Sequence, residues 1–238
     1  MNKRLKIALI AAAVITVFIG LTVWLKFYRV AAQPAWITSD EHNNYFYGSM
    51  GIDKTAGLPY WIWLAMPRMF PEYMPGPGGY AALGMSWEEG REMPVGFAKQ
   101  RVGYIRVTGN CALCHARSQP EGQDQAPTIV PAVRGNTTDL QPLLNFYRRS
   151  AEDPRFNADE FFSEVNSDTK LSWLDSLSYR YLFIPRMRKA LINDPATVLF
   201  APVILAHMRE PYAEGPLSEG QIQARAGWIK QQMQSVKP

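Results

Sequence analysis

Cys111-Ala112-Leu113-Cys114-His115 is the stretch on which the reading of this chain turns. Two thiols three positions apart fall on one helical turn, and the next residue sets an imidazole beside them. This C-x-x-C-H spacing is that of covalent c-type haem attachment. The two sulfurs reach the two vinyl groups of one porphyrin, and His115 lies under the iron as its proximal ligand. Two other chemistries use a close cysteine pair: a redox-active dithiol with a histidine beside it by chance, and a disulfide in an exported protein. A redox C-x-x-C favours a β-α-β setting, which the flanking sequence does not show. The chain has only 2 Cys, both in this motif. That count excludes a disulfide-stapled small fold and a four-cysteine zinc module. One haem c, held by Cys111 and Cys114 and ligated by His115, is the expected cofactor.

The N-terminus supplies the expected compartment. Ile7 to Leu25 reads IALIAAAVITVFIGLTVWL, with no charge and no proline. At ~1.5 Å per residue this run spans ~28 Å, close to the hydrocarbon thickness of a bilayer. Trp24, Phe27 and Tyr28 stand at its end, where aromatic side chains favour the interface. Lys3, Arg4 and Lys6 precede it, which keeps the N-terminus cytoplasmic and exports the rest. A cleaved signal peptide is the competing reading, with Val30-Ala31-Ala32-Gln33 as its cleavage site, but its apolar core would be shorter than this run. The expected location is therefore a bacterial inner membrane, crossed once, with the remaining chain periplasmic.

Composition agrees with a folded domain behind that anchor. Of 238 residues, 47% are hydrophobic and 19% charged, too apolar for a disordered chain. The formal charge is +4, but Lys3, Arg4, Lys6, Lys26 and Arg29 all flank the apolar run. Without them the chain is close to neutral, so a nucleic-acid partner is not expected. Residues 1–29 read as an anchor, 30–41 as a tether and 42–238 as one domain.

Within that domain, residues 42–110 are rich in Gly, Pro and aromatics, which predicts loops and at most short strands. Residues 117–127 read as a polar surface loop. After residue 137 the pattern becomes helical. Asn157 and Glu160 form a capping box for a helix over 158–166. Leu171, Leu174, Leu177, Tyr181 and Ile184 repeat at helical spacing, with Pro185 expected to break or kink that helix. Ser218 and Gln221 cap a last helix carrying Ile222, Ala226, Ile229 and Met233 on one face. Trp61, Trp63 and Trp87 suit either a haem pocket or an ordinary core. Arg148, Arg149, Arg180, Arg186, Arg188 and Lys189 are expected mainly on a solvated face, with one or two free to pair with propionates.

The sixth iron ligand has several candidates. A second imidazole from His42 or His207 would lower the potential, a thioether would raise it, and an open position would allow chemistry on a small molecule. The segment from Met208 through Arg209-Glu210-Pro211-Tyr212-Ala213-Glu214-Gly215-Pro216 into LSEGQIQARAGWIK resembles the end of class I cytochromes c, where a Met-bearing loop leads into a C-terminal helix with an aromatic near its middle. That resemblance implies Met208 as the distal ligand and Trp228 near the haem edge. Three departures count against it: no Pro follows Met208 directly, His207 is adjacent to it, and the gap from His115 requires an insertion.

A second resemblance covers residues 45–190. The block from YFYGSMGIDKTAGLPYWIWLAMPRMF through NCALCHA, TTDLQPLLNFYRRSAEDPRF and LSWLDSLSYRYLFIPRMR resembles the N-terminal haem domain of bacterial two-haem cytochromes of the di-haem cytochrome c peroxidase and rubber-oxygenase group. This chain has a single C-x-x-C-H, so the second haem domain is missing and peroxidase action does not carry over. The fold expected is mainly α: an N-terminal transmembrane helix plus a loop-rich, cytochrome c-like helical haem domain with insertions.

The function expected is single-electron transfer by a membrane-anchored monohaem cytochrome c. Its partners would be a quinol-oxidising complex, a terminal oxidase or a photosynthetic centre, beside the lipid bilayer itself. The alternatives are a haem enzyme that activates peroxide or oxygen at an open iron site, and a structural haem subunit of a larger membrane complex.

Overall fold

Nothing in residues 3–27 competes with helix formation: there is no proline, no acidic side chain and one long apolar run. They form α1, Lys3–Phe27, a helix of 25 residues. The computed structural model describes residues 2–119, 128–132, 138–166, 169–200 and 205. α1 is long and apolar enough to cross a membrane, and its apolar window is not buried against the rest of the protein. Its two hydroxyls are satisfied internally, Thr16 Oγ1 donating to the Ala12 carbonyl at 2.9 Å and Thr22 Oγ1 to that of Phe18 at 2.8 Å. A hydrocarbon setting requires this, because no water is there to replace such bonds.

The segment expected as a tether is bound to the domain along much of its length. The Ala31 amide donates to the Arg101 carbonyl at 3.0 Å, and Val30 bridges Val102. Two short helices follow, α2 (Ala35–Thr38) and α3 (Glu41–Tyr47), and they bury Ile37, Phe46 and Tyr47 in the main core. The reason lies in the backbone, whose donors and acceptors find partners on a strand edge that composition does not reveal.

The front half then builds a small sheet. β1 (Leu58–Pro59) leads into α4 (Tyr60–Met69), and β2 (Phe97–Val102) and β3 (Tyr104–Gly109) form a hairpin. The order is β1-β3-β2, all antiparallel, with β2 and β3 in register from Phe97↔Gly109 to Val102↔Tyr104. α5 (Ala112–His115) follows β3 after two residues, and β4 (Ala116–Gln119) pairs antiparallel with β5 (Thr128–Pro131). Short strands appear here as expected, but α3 and the ten-residue α4 break the expectation of a loop region. Residues 117–119, expected in a surface loop, belong to β4, and residues 120–127 of that loop lie outside the described residues.

From Leu140 to Leu199 the described residues are mainly helical, as the periodicity predicts. α6 (Leu140–Glu152) buries Leu143, Phe146, Tyr147 and Ala151, a single stripe at helical spacing. Each large side chain on that stripe contributes roughly 1.5–3 kcal/mol by leaving water. α7 (Ala158–Val165) starts where the capping box predicts, with Asn157 Oδ1 accepting from the amides of Asp159 and Glu160 at 2.9 and 3.1 Å. Pro185 does not end the next helix. α8 (Trp173–Ser178) passes through a π turn, Tyr179–Phe183, into α9 (Ile184–Asn193). There the Ile184 amide reaches back five residues to the Tyr179 carbonyl. The wider turn accommodates a residue that has no N–H and whose ring would crowd an ordinary α-turn. α10 (Pro195–Leu199) closes this part, capped by Asp194.

The core lies between the sheet and these helices. Trp63 belongs to it: its ring stacks on Tyr80 with centroids 4.4 Å apart, and the Tyr80 hydroxyl donates to the Trp63 carbonyl at 2.8 Å. Arg148, Arg149, Arg186 and Lys189 are exposed, as expected of most of this cluster, whereas Arg188 is partly buried and its Nε donates to the Ala151 carbonyl at 3.0 Å. Arg180 pairs with Asp159 at 2.8 Å, and Arg149 lies over the Tyr73 ring.

Candidate functional site

The motif is carried by one short turn whose two sides differ sharply. Cys111, Cys114 and His115 stand at i, i+3 and i+4, the spacing that puts side chains on one face of a helix. Ala112 and Leu113 take the opposite face and are 2% and 1% exposed. Cys111 and His115 are exposed and Cys114 is half-buried. Hydrophobic burial of the two intervening residues therefore orients the three chemically capable ones outward.

Asn110 fixes the turn in place. It is buried, and its side-chain Oδ1 accepts from the Ala112 amide at 3.0 Å. Its Nδ2 donates to the carbonyls of Phe46 at 3.2 Å and Gly48 at 3.1 Å. Its backbone amide donates to Gly96. One residue thus ties the end of β3, the start of β2 and the end of α3 to the motif. Gly96 permits the close approach: its φ is +93°, and a Cβ there would lie 2.4 Å from the Leu113 backbone. Only glycine meets both conditions without displacing the turn.

The surroundings of the turn come from α3 and the β4–β5 ribbon. The Tyr45 hydroxyl donates to the His115 carbonyl at 3.2 Å. Burial raises the Tyr45 pKa, with the Ala132 backbone amide opposing. The Met50 sulfur lies 3.6 Å from Cys111 Sγ. The His115 ring has no hydrogen bond to a described residue, so neither nitrogen is committed there.

Both cysteines are free thiols. Loss of solvation raises the pKa of each, and the neighbouring Cys111 adds to the effect at Cys114. The pair thus differs from redox dithiols, in which a depressed pKa supplies the attacking thiolate. Among the described residues, no three His, Cys, Asp or Glu side chains converge on a point that would hold a metal ion. A covalently attached porphyrin would make no such demand, since both sulfurs would bond its periphery and, of the motif, only His115 would meet its iron. Two free thiols and an uncommitted imidazole on one outward face are a donor set that fits a covalently attached haem c.

The distal candidates are placed unequally. His42 lies on α3, where its Nε2 is 3.2 Å from a Glu88 oxygen and its ring packs on Phe46 with centroids 4.2 Å apart. It faces an open depression also lined by Trp87, Thr128 and Ile129. α3 brings Tyr45 to the motif, while the His42 ring is engaged by Glu88. Met208, His207 and Trp228 lie outside the described residues, as does the helix expected after Ser218. Asn110, Gly96, Tyr45 and Met50 were not legible as site residues, because nothing local in the sequence marks the backbone atoms and sulfur they meet. In comparisons with known proteins, no family model, no curated protein and no solved structure matches this chain.

Proposed function

We propose that this protein is a membrane-anchored, monohaem c-type cytochrome that passes single electrons between redox partners at a membrane. The observation that carries the reading is the placement of Cys111, Cys114 and His115 on the outer face of one turn, with both thiols unpaired. A covalently bound haem would supply reversible one-electron chemistry at its iron. Each cysteine would contribute one thioether, its S–H adding across a vinyl double bond with no net change in oxidation state. His115 would give the iron a nitrogen lone pair, its backbone held by Tyr45. Asn110 and Gly96 would keep the turn rigid, which limits reorganisation of the ligand between oxidation states.

α1 would hold the domain beside membrane-bound partners and raise their effective concentration. On the charge distribution around the apolar run, the domain would face the periplasm. A quinol-oxidising complex, a terminal oxidase and a photosynthetic centre all suit such a carrier. Met208 is the distal ligand favoured by the C-terminal resemblance, with His42 and His207 as imidazole alternatives. The test is optical spectroscopy of the full chain produced in a host that attaches c-type haem. A low-spin spectrum unmoved by cyanide or carbon monoxide supports the carrier. Prompt binding of either would replace it with an open-site haem enzyme.

A further inference from the structure

The junction between α1 and the domain contains a cleft of about 450 Å³ that the electron-transfer reading does not use. It is lined by Thr22, Leu25 and Lys26 of α1, by Arg29 just past the helix end, and by Arg101 and Gly103 of the β2–β3 hairpin. The walls are held together firmly. Gly103, at φ +70° in the β2–β3 turn, lies so close under α1 that a Cβ would sit 2.3 Å from the Lys26 carbonyl oxygen. Its amide donates to the Arg29 carbonyl at 2.7 Å.

Charge and depth together specify an occupant. Lys26 pairs with Asp175 at 2.8 Å, and that carboxylate also feels Arg101. One carboxylate against three cations leaves a positive excess. Arg29 is exposed and its guanidinium has no partner among the described residues. Lys26 immediately follows the last residue of the apolar run, and three further residues reach Arg29. α1 ends at Phe27 and Arg29 lies two residues past it, so both cations stand just beyond the hydrocarbon edge, at the level of the roughly 5–8 Å headgroup layer on each side of a bilayer. Trp24 and Tyr28, 52% and 66% exposed, mark the same level.

We propose that this cleft binds the headgroup of an anionic phospholipid, its phosphate on Arg29 and Arg101 and its acyl chains along Thr22 and Leu25. The proposal rests on α1 lying in a bilayer and is independent of haem. Bound lipid would fix the orientation of the domain on the membrane surface.

The test is native mass spectrometry of the full-length protein in detergent, titrated with phosphatidylglycerol or with phosphatidylcholine of the same acyl chains. Phosphatidylglycerol is expected to bind more tightly. Arg29→Gln is expected to weaken it about five-fold and to leave phosphatidylcholine unchanged, and adding Arg101→Gln to weaken it by about five-fold again. Because Arg29 has no described side-chain partner, its substitution leaves the fold intact, which far-UV circular dichroism checks. Equal binding of the two lipids, or indifference to Arg29→Gln, overturns the proposal. Inorganic phosphate binding as tightly as phosphatidylglycerol would overturn it in favour of a free-anion site.

Discussion

Asn110→Ala is the substitution that most directly probes how the motif is held. The Asn110 side chain makes three hydrogen bonds, to the Phe46 and Gly48 carbonyls and from the Ala112 amide. All lie in buried surroundings, and each is worth ~1 kcal/mol net. Removing them together is expected to cost about 3 kcal/mol, a large share of the stability of an ordinary domain. Urea unfolding of the full-length protein in detergent, followed by tryptophan fluorescence, measures the loss. The midpoint should fall by roughly 1–3 M with little change in slope. Asn145→Ala is the control, since Asn145 is exposed and bonded only to Gln141 among the described residues. It should move stability by less than ~0.5 kcal/mol. If Asn110→Ala costs no more than Asn145→Ala, the side chain does not hold the turn, and the account of the site's rigidity is wrong.

Gly96→Ala should destabilise by about 2–5 kcal/mol, combining a left-handed backbone with a Cβ pressed on Leu113; thermal unfolding checks it, and an unchanged midpoint would show that the turn yields freely. Leu113→Ala, which empties a position 1% exposed behind the motif, should cost about 2–5 kcal/mol in the same assay. Asp175 gives a pH signature. Partial burial opposes its ionisation, but hydrogen bonds from Lys26 and Ser172 prevail and hold its pKa below the usual value. The resulting stability is present above the unfolded carboxylate value, about 3.9, and is lost as pH falls through the lower folded value. Both side chains are over a third exposed, so screening keeps this below ~1 kcal/mol. Asp175→Asn should remove that acid-range dependence from urea unfolding curves, and an unaltered pH profile would show that the pair contributes nothing.

Where the chain's structure was legible in advance, a local rule was enough. The 25 residues of α1 follow from an uninterrupted apolar run, and the start of α7 follows from Asn157 with Glu160. The sidedness of the motif follows from i, i+3, i+4 spacing. What was not legible depends on contacts distant in sequence. Asn110 meets carbonyls 62 and 64 positions away, and carbonyls leave no residue-type signature. Residues 30–41 look like a linker because their partners are backbone atoms of β2. Pro185 signals a break, yet a hydrogen bond five residues long carries the helix past it. Trp63 is equally suited by type to a pocket or a core, and only its stacking on Tyr80 assigns it to the core.

The central claim is a porphyrin joined to Cys111 and Cys114 with His115 at its iron. Its most direct test is mass spectrometry of the mature protein from a host that attaches c-type haem, with peptide mapping across residues 110–116. The account predicts one haem adduct on that peptide, lost when Cys111→Ser and Cys114→Ser are combined. An unmodified peptide from that host, or an adduct that survives the double substitution, would contradict it.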